Sequence, residues 1–248
     1  MADETIDRTL ALLWRRTLGT PRGTRGPRQR FSVDEVIQAG IAVADEEGLP
    51  AFSMRKVADR LGLKLMSIYT YVPGRSELIG LMIDEVTGET PLPAHDGPLR
   101  QRLTGIARHL WDLYHRHPWL LQVEDSRPWI GPHGSDLYEW QLAGIEGAGF
   151  TDLEMDQVVT MLSDYTAGAA RSSVRALRTT QESGITDAEW WAGNAPVLER
   201  LMPAGDYPIS GRVGQTAGQE YNAVSDPDRV FRFGLDRVLD GLERLLER

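Results

Sequence analysis

Four hydroxyl-bearing side chains, Ser67, Tyr69, Thr70 and Tyr71, fall within five residues and follow directly on Met66. Short hydroxyls hydrogen-bond base edges or phosphates, a methionine suits the methyl group of thymine, and tyrosine hydroxyls reach phosphate oxygens. Lys64 and Arg75 flank the group and Arg55 and Lys56 lie upstream, so cations able to grip a polyanion surround it. That chemistry is the reading of a DNA groove. It needs the side chains carried on something narrow, with one face held against a core.

The neighbouring residues supply such a carrier. Ser32 with Glu35 three residues on is a capping box that opens a helix; Val36, Ile37, Ile41, Val43 and Ala44 give it an apolar stripe, and Gly48 ends it. Ser53 caps a second helix, with Met54, Val57, Ala58 and Leu61 pointing inward. Gly62 permits a turn of positive φ. A third helix is expected from about Leu65 to Val72, stopped by Pro73-Gly74, with Leu65 and Ile68 inward and Met66, Ser67, Thr70 and Tyr71 outward. A fourth starts near Arg75 and runs through Leu78, Ile79, Met82, Ile83 and Val86. Helix, glycine turn, short helix is the helix-turn-helix order. The alternative, an ordinary helical hairpin with tyrosines in its core, fits less well, because capping box, Gly62 and the Tyr-Val-Pro segment share one register.

The charge distribution agrees. Residues 1–30 hold seven arginines against three acids (+4), residues 31–78 five cations against seven acids (−2), and the remaining 170 residues carry −11 of the overall −9. Affinity for DNA depends on the local field, since distant charges are screened beyond about 10 Å. Residues 3–17 suit a short amphipathic helix with Ile6, Leu10, Leu13 and Trp14 on one face. The stretch GTPRGTRGPRQR after it reads as a solvated arm, which either lies in the minor groove through Arg22 to Arg30 or is a tail. Zero cysteines exclude disulfides and thiol chemistry, no apolar run approaches about 18 residues, and the acids at Asp3, Glu4 and Asp7 do not suit a secretion signal. A cytoplasmic protein without membrane contact is expected.

Beyond Pro98 every long segment has helical period, with helices expected at about 98–117, 119–125, 133–148, 152–182, 186–202 and 226–247. The expected fold is all-α, a three-helix DNA-binding domain followed by a larger helical domain for ligand binding and dimerisation. The divisions are 1–30 (basic extension), 31–78 (helix-turn-helix) and 79–248 (body).

VADRLGLKLMSIYTYVPGRSEL, with its spacing, resembles the TetR family of transcriptional regulators. RPWIGPHGSDLYEWQLAGIEGAGF and VFRFGLDRVLDGLERLL are similar to that family's tetracycline-repressor type of C-terminal domain. The resemblance implies a homodimer on a palindromic operator, released by a small ligand, with DNA contacts at Arg55, Lys64, Met66, Ser67, Tyr69, Thr70, Tyr71 and Arg75. The family's drug-chelating histidines fall near Pro91 and Val123, which cannot ligate, so tetracycline–magnesium is not expected as the inducer; no cofactor is expected.

Dimerisation is expected through the helices 152–182 and 226–247, at Gly168, Ala169, Phe231, Gly234, Leu235, Val238 and Leu242; the alternative is that these helices complete the monomer core. An aromatic-rich lining, Trp111, Tyr114, His115, Trp129 and Trp140 with Met161 and Tyr165, suits a flat organic effector, although aromatics at helical spacing are more often core. His109, His115 and His117 lack a carboxylate at supporting spacing for a metal. The fourth helix, Arg75 to Val86, would act as a lever between effector and groove reader. No G-x-S-x-G elbow, phosphate loop, H-E-x-x-H or dinucleotide motif occurs, so no enzyme is expected; the competing reading is a helical binding or scaffold protein without DNA affinity.

Overall fold

The computed structural model of the protein describes residues 2–18, 30–123, 130–202 and 206–247, with side chains from Arg8 onward. All regular structure in these residues is helical. In chain order the helices are α1 (Ala2–Leu13), α2 (Arg15–Leu18), α3 (Val33–Glu47), α4 (Met54–Arg60), α5 (Leu65–Ile68), α6 (Arg75–Thr87) and α7 (Leu99–Arg116). A 3-10 helix, Pro118–Gln122, precedes α8 (Pro132–Ala143), α9 (Asp152–Ser183), α10 (Asp187–Leu201), α11 (Pro208–Tyr221) and α12 (Pro227–Leu246). The all-α expectation holds.

Local chemistry sets the boundaries. At α3 the Glu35 amide donates to Ser32 Oγ (3.1 Å) and the Ser32 amide donates to Glu35 Oε2 (2.7 Å), closing the capping box. Ser53 Oγ accepts the Lys56 amide at the start of α4. Gly62 sits at φ +63°, where a side chain would be strained, and makes the turn between α4 and α5. Thr151 with Glu154 and Thr186 with Glu189 repeat the capping box at α9 and α10.

The chain divides into two compact units, Met1–Thr160 and Met161–Arg248. In the first, α3, α4, α5 and α6 bury Val36, Ile37, Val57, Ala58, Ile68, Val72, Leu78 and Met82 in one cluster. That cluster continues into Leu13 of α1, Leu113 of α7 and Trp119, so α3 to α6 share their core with what precedes and follows them. In the second, the inward face of α12 is Phe231, Leu235, Leu239 and Leu242, and Phe231 stacks on Tyr165 of α9.

The sequence reading missed α11. Its three glycines, Gly211, Gly214 and Gly218, oppose helix formation. Packing supplies the reason for one of them, because a Cβ on Gly218 would lie 2.3 Å from the Trp191 indole.

Candidate nucleic-acid interface

Four residues do not make a stable helix alone, so α5 is oriented by what it buries. Ile68 and Val72 are fully buried and Tyr71 nearly so. Met66 is 75% exposed and Tyr69 37%; Lys64 and Thr70 are exposed and Ser67 is half-buried. Lys64, Met66, Ser67, Tyr69 and Thr70 thus form the outer surface of the segment, with Arg55 exposed on α4. The Thr70 hydroxyl donates to the Ser67 carbonyl (2.7 Å), which leaves its oxygen lone pairs available as acceptors.

Two expected contact residues are placed differently. Tyr71 faces inward, and its hydroxyl accepts the Phe31 amide at 3.4 Å. It lies three residues from Ile68, so helical spacing puts both on one face; that signal was present in the sequence. Arg75 folds back over the Phe52 ring (5.6 Å) and donates to the carbonyls of Leu49 (3.1 Å) and Phe52 (3.5 Å). Its guanidinium fastens the α3–α4 connection to the start of α6. Lys56 and Arg60 pair with Glu47 and Glu46 at the surface. Of the arm, residues 19–29 lie outside the described residues; Arg30 stacks on Phe31 at 5.1 Å.

Two polar junctions tie these helices to the segments after them. His117 is buried, with Nδ1 2.9 Å from Asp45 Oδ1 and Nε2 2.9 Å from Glu89 Oε2. Trp119 Nε1 donates to the same Asp45 oxygen. Spacing along the chain gave His117 no carboxylate; the fold supplies two, from α3 and from the residues after α6. At the second junction Asp84 of α6 is buried and accepts the Gly134 amide (3.0 Å), capping α8 from outside that helix. His133 Nδ1 lies 3.0 Å from the Asp84 carbonyl and 3.3 Å from its carboxylate. Burial pushes the Asp84 carboxyl above the usual range, against the bond from Gly134 and the nearby His133.

The helical fold of the chain is shared with known proteins. Residues 90–246 match the model of the tetracyclin repressor-like C-terminal domain. The transcriptional repressor DrrR1 of Streptomyces coeruleorubidus is 42% identical over 244 residues, 97% of this chain and 87% of that protein. The chain belongs to the TetR family. It is a DNA-binding transcriptional regulator. The Escherichia coli tetracycline repressor of class E is 25% identical over 225 residues, 88% of this chain and 93% of the repressor. The TetR-family protein ActR of Streptomyces coelicolor, solved in complex with actinorhodin, superposes with a TM-score of 0.70 at 24% identity, covering 86% of this chain and 95% of that one.

In this TetR-family chain the expected effector residues are distributed over both units. Trp111, Tyr114 and His115 are half-buried on α7, and His115 Nδ1 lies 2.8 Å from the Trp111 carbonyl. Trp140 donates to the Pro93 carbonyl (2.6 Å) and stacks on His95 (4.7 Å), holding the loop before α7 against α8. Burial lowers the neighbouring His109, with Arg116 adding to the effect. Trp129 lies outside the described residues. In the second unit Met161 is exposed, while Tyr165 donates to the Phe231 carbonyl (2.7 Å) and packs on Gly234. A surface groove of about 570 Å³ on α8 and α9 is lined by other residues, among them Tyr138, Leu142 and Met155.

The expected dimer residues also divide. Phe231, Leu235 and Leu242 are buried within the chain, so they have little surface to give a partner and complete the monomer core. Gly234 is closed off by Tyr165, and Val238 and Ala169 are half-buried. Gly168 is exposed, with open space where a Cβ would stand. On α12 the apolar side chains that reach solvent are Val230 (56%) and Phe233 (63%).

Proposed function

We propose that the protein is a repressor that binds a palindromic operator as a homodimer and leaves it when a small organic effector is bound, working in the cytoplasm where the DNA is. In this reading residues 31–78 are the DNA-binding domain, 79–248 the effector and dimer body, and 1–30 an extension. The observation that carries it is the outer surface of α5: Met66, Ser67, Tyr69 and Thr70, with Lys64 and Arg55 alongside, are turned to solvent and contribute little to the core. The 42% identity to a transcriptional repressor supports the mode of action. The effector enters by analogy with ActR, a TetR-family protein solved with an organic ligand. In the chain itself it rests on the half-buried aromatics of α7 and α8. Helix α6 is the lever, running from Arg75 beside the reading head to Asp84 at the cap of α8. Effector binding changes DNA affinity only by its differential affinity for the two states.

An operator selected from a random duplex library by the full-length protein, then footprinted, tests the reading. Two protected half-sites about one helical turn apart are expected. Uniform weak binding that selects no sequence would reject it. On that duplex Lys64→Ala is expected to weaken binding about tenfold and reduce the log–log salt slope by about 0.9, one phosphate contact.

Dimerisation is proposed to use the exposed stripe of α12 at Val230 and Phe233 with the open surface at Gly168 of α9. Phe233→Glu is expected to raise the dimer dissociation constant at least tenfold, roughly 1.4 kcal/mol. Sedimentation velocity across a micromolar dilution series measures it. A wild-type chain sedimenting only as 27.7 kDa would remove the dimer altogether.

A further inference from the structure

The residues of α1 and α2 belong to no function so far described, yet they bond to α3, to α6 and to the turn after α5. Thr9 and Leu13 of α1 are buried, Leu13 within the cluster that also holds Ile68 and Val72. Arg8 reaches the turn after α5 and donates to the carbonyls of Thr70 (3.3 Å) and Tyr69 (3.5 Å). Carbonyls at the end of a helix have no partner within it, and a cation placed there satisfies them and suits the helix dipole. Arg15 and Arg16 bridge α3 and α6. Arg15 Nε donates to Asp34 (3.0 Å) and its terminal nitrogen to Glu85 (3.3 Å); Arg16 donates to Asp34 (3.2 Å) and Glu85 (2.9 Å). Arg15 and Glu85 are both mostly buried, with side chains 16% and 15% exposed. Burial would raise the Asp34 carboxyl, but bonds and charge from Arg15 and Arg16 outweigh it and hold it below the usual range. Trp14 Nε1 donates to the Ile130 carbonyl (3.1 Å), immediately before the α8 terminus that Asp84 caps.

We infer that residues 8–18 are a strap that sets the pose of the reading segment, with Arg8, Trp14, Arg15 and Arg16 as positioning residues. The inference rests on the reading of α5 as the DNA-contacting helix. Its ends matter: Arg8 holds the segment that faces the groove, and Trp14 holds the junction where α6 meets α8. The strap, α1 followed by α2, therefore ties α5 to α6 from outside the helix-turn-helix. Arg8 acts through the backbone of Tyr69 and Thr70, not through phosphate.

The selected operator duplex, titrated with full-length protein over a series of salt concentrations, separates the two roles. Arg8 is exposed, so Arg8→Ala retains the fold. We expect affinity five- to tenfold lower, an unchanged salt slope, and faster hydrogen exchange at the Tyr71 and Val72 amides, whose acceptor is the Ile68 carbonyl. Loss of affinity together with a slope smaller by about 0.9 would identify a direct phosphate contact and overturn the inference. So would unchanged affinity. The double variant R15Q/R16Q, which leaves Arg8 in place, is expected to weaken binding in the same direction; binding equal to wild type counts against the strap. Lys64→Ala run in parallel distinguishes the premises: if it changes neither affinity nor slope, the assignment of α5 to DNA fails, whereas a normal Lys64 effect beside a silent Arg8 rejects the strap alone.

Discussion

His117→Ala is expected to lower the stability of the protein by about 2–3 kcal/mol, a fall of roughly 4–12 °C in the thermal midpoint. The residue is nearly inaccessible and meets a carboxylate oxygen at each ring nitrogen. Deleting it removes two hydrogen bonds to carboxylates, so Glu89 loses this partner and Asp45 keeps the bond from Trp119 Nε1. Both carboxylates keep about a third of their surface in water, 32% and 36%, which holds the effect below the 3–5 kcal/mol of fully buried pairs. Adding Glu89→Gln to His117→Ala is expected to recover part of the loss, because it withdraws one uncompensated charge. A melt of His117→Ala within 1 °C of wild type would show that the clasp contributes nothing.

Gly131→Ala is the second severe change, at about 2–4 kcal/mol. The added Cβ would lie 2.2 Å from Asp84 Oδ1 and 2.4 Å from its Cγ. This is not the free end of a flexible side chain, since the carboxylate is buried and holds the Gly134 amide. Asp84 must move, and α8 then loses its cap. Because the glycine change already breaks that bond, Asp84→Ala in the same background should cost under about 1 kcal/mol more, far from additive. Additive losses in thermal or urea unfolding would separate the two sites. The raised Asp84 carboxyl gives a sign as well. The fold binds this proton more tightly than the unfolded chain, so its contribution to stability falls as pH rises from the ordinary carboxylate value through the raised one. Asp84→Asn keeps an acceptor for Gly134 and removes that decline; the difference in unfolding free energy from wild type should shift in the variant's favour above pH 4. A difference that is flat with pH, or that moves the other way, contradicts it.

What the sequence conveyed was local in origin. The capping box at Ser32, the positive φ at Gly62 and the long periods of α9 and α12 are decided by residues a few positions apart, and all were legible. The end of the third helix was less so, because Pro73-Gly74 marks where helix must stop and the chain leaves helical geometry earlier, after Ile68. Placement of Phe231, Leu235 and Leu242 failed for another reason. An apolar stripe states that something covers it, not whether the cover is the same chain or a second copy. Residues joined across long separations, Asp45 with His117 at 72 positions and Arg8 with Thr70 at 62, leave no periodic trace. Helix α11, with glycines that oppose a helix, was hidden by the same ambiguity between a solvated connection and a packed one.

The division of labour within residues 64–72 has an evolutionary consequence. Ile68, Tyr71 and Val72 hold the segment in place, while Lys64, Met66, Tyr69 and Thr70 add little to the core. In the proposed role of the second set as DNA contacts, exchanging it leaves the first intact, so a lineage can drift toward a new target sequence without passing through unfolded intermediates. Gene duplicates of such a chain can diverge in what they recognise while inheriting the same scaffold, and selection on the address need not contend with selection on the fold.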